Sequence, residues 1–167
     1  MKTGFSLGSN VGRRLRLLGQ AKTLLLLDSQ VVFVDQSSVY ETEPVGVKDE
    51  YRAMKFLNAV LVVESPYTAD EWLPKIKRVE TALKRVRTED RNAPRTIDID
   101  ILFSGDEVVD SDLLQVPHPR WAERQFVVKP LADVCPDLVL PGTKSDVQNI
   151  LEQMPANDDV RLFVEKW

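Results

Sequence analysis

The sequence predicts an α+β fold: a ferredoxin-like βαββαβ core, with an antiparallel sheet and packed helices in a three-layer α/β/α arrangement. Three observations lead there. Runs rich in β-branched residues alternate with stretches of helical apolar spacing, in the order strand, helix, strand, strand, helix, strand. At 167 residues and 43% hydrophobic content, the chain suits one domain with a sizeable core, residues 1–167. No internal repeat, low-complexity tract or Gly/Ser linker marks a boundary within it.

Gly4 to Leu7 is the first strand, and Gly8-Ser9-Asn10 is turn chemistry suited to capping the next helix. From about Arg13 to Leu27, Leu15, Leu18, Ala21 and Leu25 recur at helical spacing. Gln30 to Tyr40 is β-branched and aromatic and reads as a strand, broken by Glu43-Pro44-Val45-Gly46. Lys55 to Glu64 reads as another strand, antiparallel to the one before. A second helix starts at Thr68, an N-cap with Glu71 three residues on, and runs through Ile76, Val79 and Leu83. Its Pro74 is expected in the first turn or so, where a missing N–H is tolerated. Ser104-Gly105-Asp106 turns into a short Val108-Val109 strand, and the tail holds short helical stretches and a last strand, Val160 to Val164.

The single cysteine, Cys135, excludes an internal disulfide framework and suits a reducing compartment. No run approaches the roughly 20 apolar residues of a membrane span, and the N-terminus lacks a signal-peptide core. A cytoplasmic location is expected. The net charge of −4 argues against non-specific nucleic-acid binding. That charge is uneven: Lys75 to Arg95 holds eight basic and three acidic residues, a local +5 that leaves −9 for the rest.

This basic stretch runs into NAPRTIDIDILF at 92 to 103. Pro94 restricts Ala93 to extended conformations, marking the entry to a strand. On a strand, Ile97, Ile99 and Ile101 share one face and Thr96, Asp98 and Asp100 the other. Asp98 and Asp100 then lie with Cα atoms roughly 6 to 7 Å apart, where like charges repel unless water or a cation intervenes. Mg²⁺ is commonly held by one or two carboxylates together with substrate phosphates. Arg85, Arg87, Arg91 and Arg95 match phosphate oxygens with forked hydrogen bonds. Carboxylates on a strand entered from an arginine-rich loop point to a nucleotide-polyphosphate site, against the plainer reading of a solvated acidic face and helix end. P-loop and protein-kinase motifs are absent, and Ser-nucleophile and zinc readings lack partners. Gly8, Ser9, Asn10 and Gly12 form a loop that either approaches a ligand or simply turns, and His118 either touches a phosphate or base or is structural.

Four blocks carry a resemblance: LGSN at 7 to 10, SSVYETEPVG at 37 to 46, FLNAV at 56 to 60 and RNAPRTIDIDIL at 91 to 102, with VPHPR at 116 to 120 and Phe126 beyond. In their order and spacing they resemble the 6-hydroxymethyl-7,8-dihydropterin pyrophosphokinases of the folate pathway. The resemblance implies transfer of pyrophosphate from ATP to the pterin hydroxymethyl group, with release of AMP. It implies that Asp98 and Asp100 bind two Mg²⁺ ions, and that Arg95 is the principal phosphate clamp with Arg85 a second. Phe56 and Phe126 then sandwich the pterin ring, while Asn58, Thr42, Pro44, Val45 and Gly46 surround it. Glu80, Arg87, Arg91, Ile101, His118 and Arg124 fall at nucleotide or product contacts. The implied partners are ATP and the pterin, with no nucleic acid or membrane, and a monomer is expected.

The chain departs from the family pattern in places. Asn92 stands where some members have a sealing tryptophan, Ala93 and Lys84 replace common glycines, and Phe56 replaces a tyrosine. None of these removes an expected metal ligand, so loop closure is affected more than chemistry. An RNA-binding module would need an RNP-type aromatic strand, which is absent. A degenerate, inactive member and a generic Mg²⁺-dependent phosphohydrolase are the remaining alternatives.

Overall fold

The computed structural model describes residues 1–90, 93–156 and 159–167. Among them the strands are β1 (Lys2–Ser9), β2 (Val32–Gln36), β3 (Val39–Thr42), β4 (Phe56–Glu64), β5 (Asp98–Ser104), β6 (Val109–Asp110), β7 (Gln115–Val116) and β8 (Arg161–Val164). The α-helices are α1 (Arg14–Leu25), α2 (Ala69–Ala82), α3 (Gln125–Val134) and α4 (Val147–Gln153). A mixed α+β architecture results, in which helices pack on an antiparallel sheet of order β5-β1-β4-β3-β8, with β2 also pairing β4. β6 and β7 form a separate small ribbon.

Strand alternation sorts the core into two layers. Phe5, Leu7, Leu57, Ala59, Leu61, Val63, Ile99 and Ile101 meet Leu18 and Ala21 of α1 and Trp72 and Ile76 of α2. On the opposite face Val60, Val62, Leu102 and Phe103 meet Val127, Val128 and Leu131 of α3 and Val147 of α4. β4 is covered on both faces, which is why it is almost continuously apolar in sequence. The register between β1 and β5 shifts at Gly4/Phe5, and the Phe103 ring lies over Gly4, where a Cβ would come within 2.2 Å of it. Ile97, Ile99 and Ile101 enter the α1/α2 core as the alternation required, so Asp98 and Asp100 face the α3 side.

Several elements differ from expectation. β1 continues through Gly8 and Ser9, which pair with β4, so these residues are strand and not turn. Asn10 caps no helix: α1 follows Arg13 without a side-chain capping bond. The single strand expected over Gln30–Tyr40 is two, broken at Ser37. There the Ser37 N–H donates to the Val60 carbonyl at 2.9 Å and the Val60 N–H to Ser37 Oγ at 2.8 Å, so a side chain continues the ladder through the break. Thr68 forms the expected capping box with Glu71, but Pro74 is the sixth residue of α2, beyond its first turn. Its missing N–H leaves the Asp70 carbonyl without its usual helical donor, at an exposed position. The short strand lies at Val109–Asp110, one residue later than expected, and the last strand begins at Arg161.

Candidate active site

Cross-strand register builds the floor of the site. Gly8 is paired with Asp98 on one side and Asn58 on the other, and Asn58 in turn with Tyr40, so Asp98, Gly8, Asn58 and Tyr40 form one row across four strands. Gly8 contributes no side chain, and a Cβ there would meet Asn58 Oδ1 at 3.3 Å, Phe56 Cδ1 at 3.8 Å and Asp98 Cβ at 4.0 Å. The glycine thus leaves a depression between an aromatic ring, an amide and a carboxylate, a common reason for glycine inside a strand. Asn58 Nδ2 donates to Thr42 Oγ1 at 2.7 Å, and both residues are buried. Beyond Thr42, half-buried Pro44 and exposed Gly46 line an open cleft of about 510 Å³ with Glu43, Val47 and Arg52, while the Val45 side chain is exposed.

At the Asp98 end the charges form a chain. Arg85 Nη1 donates to both Glu80 Oε1 and Asp98 Oδ1, and Arg95 Nη1 to Asp98 Oδ2 at 2.7 Å. Glu80, on α2, is buried at 3% exposure. It also accepts from the Ile99 N–H at 3.1 Å and from Arg87 Nη2 at 2.8 Å, so it ties the helix end to the outer edge of β5. Two residues on from Asp98, burial first and the Asp98 charge second push the Asp100 carboxyl up to about 7, with Arg124 and Arg85 opposing. The sequence-predicted residues Asp98, Asp100, Arg85, Arg95, Glu80, Arg87 and Arg124 therefore converge on one end of β5.

The aromatic residues flank this cluster, each beside an arginine. The Arg95 guanidinium lies 5.5 Å from the Phe56 ring centre, and that of Arg124, which immediately precedes α3, 5.8 Å from the Phe126 ring. Both rings are half-buried. The His118 N–H donates to the Leu102 carbonyl at 3.0 Å and its Nδ1 accepts from the Arg120 N–H at 3.1 Å, leaving Nε2. Burial and then the Arg124 charge hold His118 below the ordinary histidine range. The Ile101 side chain is buried at 4% exposure in the α1/α2 core, as its place beside Ile97 and Ile99 required, so a nucleotide would meet only its main chain. Arg91, like Asn92, lies outside the described residues.

Two contacts were not legible in sequence. Lys48 pairs with Asp90 at 2.9 Å, bridging the loop after β3 to the loop before β5. Asn10 binds the main chain of Arg95, a contact that neither its turn chemistry nor its membership of LGSN pointed to. Asp98 and Asp100 are a two-carboxylate donor set. No group of three or more metal-ligating side chains occurs among the described residues. Such a pair fits a hard cation whose remaining ligands come from substrate phosphate and water.

Residues 4–136 match the family model described as 7,8-dihydro-6-hydroxymethylpterin-pyrophosphokinase. The 2-amino-4-hydroxy-6-hydroxymethyldihydropteridine pyrophosphokinase of Bacillus subtilis (strain 168) is 39% identical over 141 residues, 84% of this chain and 82% of the relative. The protein of the same name from Haemophilus influenzae is 33% identical over 157 residues, 94% of this chain and 95% of that one. Among solved structures, Plasmodium falciparum HPPK-DHPS with pteroate superposes with a TM-score of 0.69 at 15% identity. It covers 91% of this chain, which spans 42% of that longer protein, and the likeness speaks for the fold alone. With the family model spanning most of the chain and two bacterial relatives matched over most of their own length, the chain belongs to the 7,8-dihydro-6-hydroxymethylpterin-pyrophosphokinase family.

Proposed function

We propose that the protein transfers pyrophosphate from ATP to 6-hydroxymethyl-7,8-dihydropterin, giving the pterin diphosphate and AMP in folate biosynthesis. One observation carries this beyond family membership: Asp98, Arg85 and Arg95 meet at one edge of a floor made of Gly8, Phe56 and Asn58. A charged edge suits a polyphosphate, and a flat aromatic and amide floor suits a planar, hydrogen-bonding ring.

In the reaction, the pterin hydroxyl oxygen bonds to the β-phosphorus of ATP as the bond from that phosphorus to the α,β-bridging oxygen breaks, and AMP departs. Asp98 and Asp100 would hold Mg²⁺, two ions being expected, which offsets phosphate charge and favours the ionised hydroxyl. Arg95 and Arg85 exchange their carboxylate bonds for phosphate oxygens and stabilise the charge that develops there. Phe56 and Phe126 stack on the two faces of the pterin. Asn58, Thr42 and the Pro44-Val45-Gly46 main chain pair with its polar edge. Arg87, Arg91, Arg124, His118 and the main chain of Ile101 serve the nucleotide, and Glu80 seats the arginines.

Strand order supports a ferredoxin-like core in β1, α1, β2/β3, β4, α2 and β5. A cytoplasmic monomer that binds neither nucleic acid nor membrane accompanies this reading; the lone cysteine supports the compartment, and the net charge of −4 the lack of non-specific nucleic-acid binding. The deciding experiment measures AMP from ATP and Mg²⁺ with and without added 6-hydroxymethyl-7,8-dihydropterin. AMP that depends on the pterin is expected. Pterin-independent release of ADP and phosphate would favour the generic phosphohydrolase.

A further inference from the structure

Asn10 is 5% exposed, caps no helix, and spends its polar groups on the two loops that border the site. Its side-chain Oδ1 accepts from the Arg95 N–H at 2.7 Å, and its own N–H donates to the Arg95 carbonyl at 3.2 Å. Nδ2 reaches the Met54 carbonyl at 3.4 Å, two residues ahead of Phe56. This pattern matters because Arg95 lies outside the sheet: the ladder between β1 and β5 ends at the Gly8–Asp98 pair. Beyond that point Asn10 takes the role of a strand partner, its side-chain Oδ1 holding the Arg95 N–H and its main-chain N–H the Arg95 carbonyl.

We infer that Asn10 is the positioning residue for Arg95, presenting its guanidinium to the polyphosphate through a two-point clamp on its main chain. The inference rests on the proposed function. With φ and ψ of Arg95 held, its Cα–Cβ bond has one direction, and the guanidinium extends from there to Asp98 and over Phe56. Arg95 Nε is shielded and has no hydrogen-bond partner among the described residues, a donor left for an incoming phosphate. Release of the clamp would let the guanidinium wander by an ångström or more, a displacement that costs up to about 10²-fold in a positioned reaction.

The substitutions separate acceptor from bulk. Asn10→Asp keeps the acceptor for the Arg95 N–H and gives up only the longer Nδ2 bond to the Met54 carbonyl, whereas Asn10→Ala removes both and Asn10→Ser is too short to reach. Pterin-dependent kcat is expected to fall about tenfold or more in Asn10→Ala and Asn10→Ser and to stay within about threefold in Asn10→Asp. Should Asn10→Ala fail to fold, Asn10→Ser against Asn10→Asp gives the same comparison. The second readout is the Kd of a non-hydrolysable ATP analogue with Mg²⁺ in a double-mutant cycle with Arg95→Ala. In the Arg95→Ala background, loss of the Asn10 side chain is expected to change that Kd less than about twofold, since the group it positions is gone. Equal kcat in all three Asn10 variants, or effects that multiply in the cycle, would overturn the inference. Wild-type protein is assayed alongside, and its failure to form AMP would instead overturn the function.

Discussion

Arg95 donates Nη1 to Asp98 Oδ2 at 2.7 Å while Arg85 occupies the other oxygen, so the two expected phosphate clamps cover the carboxylate expected to hold metal. A cation arriving at Asp98 shares the carboxylate with these arginines or competes with them, and a polyphosphate arriving with it gives the arginines new partners. The two substitutions that test the proposed metal site are Asp98→Ala and Asp100→Ala. Each is expected to lower turnover by orders of magnitude while the fold persists, because the Ile97, Ile99 and Ile101 side of β5 stays packed. Steady-state AMP production and a thermal melt on the same samples check this, and wild-type turnover in both variants would remove the assignment.

Glu80 has a different signature, since its carboxylate already holds groups of the protein itself. Its carboxylate carries Arg85, Arg87 and the Ile99 N–H at 4% side-chain exposure, and the Arg85 side chain is itself only 10% exposed. Breaking a buried pair by removing one partner typically costs about 3–5 kcal/mol. Glu80→Ala is therefore expected to lower stability by roughly 3 kcal/mol in urea titration, with Glu80→Gln losing less because it keeps an acceptor for the Ile99 N–H.

On the proposed pterin side, Gly8→Ala narrows the floor without disturbing the core. The new Cβ at 3.3 Å from Asn58 Oδ1 forces that amide to shift against its 2.7 Å bond to Thr42. Pterin affinity should fall about tenfold with ATP affinity nearly unchanged. Phe126→Ala should likewise weaken pterin binding far more than ATP binding. Titrations with each ligand separately decide both, and equal losses for the two ligands would count against a pterin site here.

Periodicity carried the acidic strand: Ile97, Ile99 and Ile101 could face only the core, so the direction of Asp98 and Asp100 followed from the pleat. The convergence of Arg85 and Arg95 on Asp98 was suggested by charge, whereas the seat that Glu80 provides was not, because the resemblance gave Glu80 a nucleotide contact and its partners, Arg85, Arg87 and the Ile99 N–H, meet it only in the fold. Ser37 broke the expected strand through a side-chain bond that mimics the ladder, and local propensity does not see such substitution. Gly8 looked like turn chemistry because glycine is usually punctuation. Its role as a gap between Phe56, Asn58 and Asp98 exists only once β4 and β5 are paired on either side. Asn10 fails to read from sequence for the same reason, since its partner, Arg95, lies 85 residues away.

Asp100 should make the proposed metal binding depend on pH. Its folded carboxyl titrates near 7 against an ordinary 3.8, raised by burial and by Asp98, so between those values the metal-free folded state binds more protons than the unfolded chain. Stability that is fully present below about pH 4 should then be lost from the metal-free protein as pH rises toward 7. A cation needs the ionised form, so Mg²⁺ must displace a proton in that window, and its affinity should rise with pH up to about 7 and level off above. Thermal melts of metal-free and Mg²⁺-saturated protein from pH 5 to 8 read both effects: the difference in Tm should widen to about pH 7 and then stay constant. Asp100→Asn should flatten the difference across the range, whereas a wild-type difference that does not vary with pH would mean that Asp100 is already ionised in the metal-free fold.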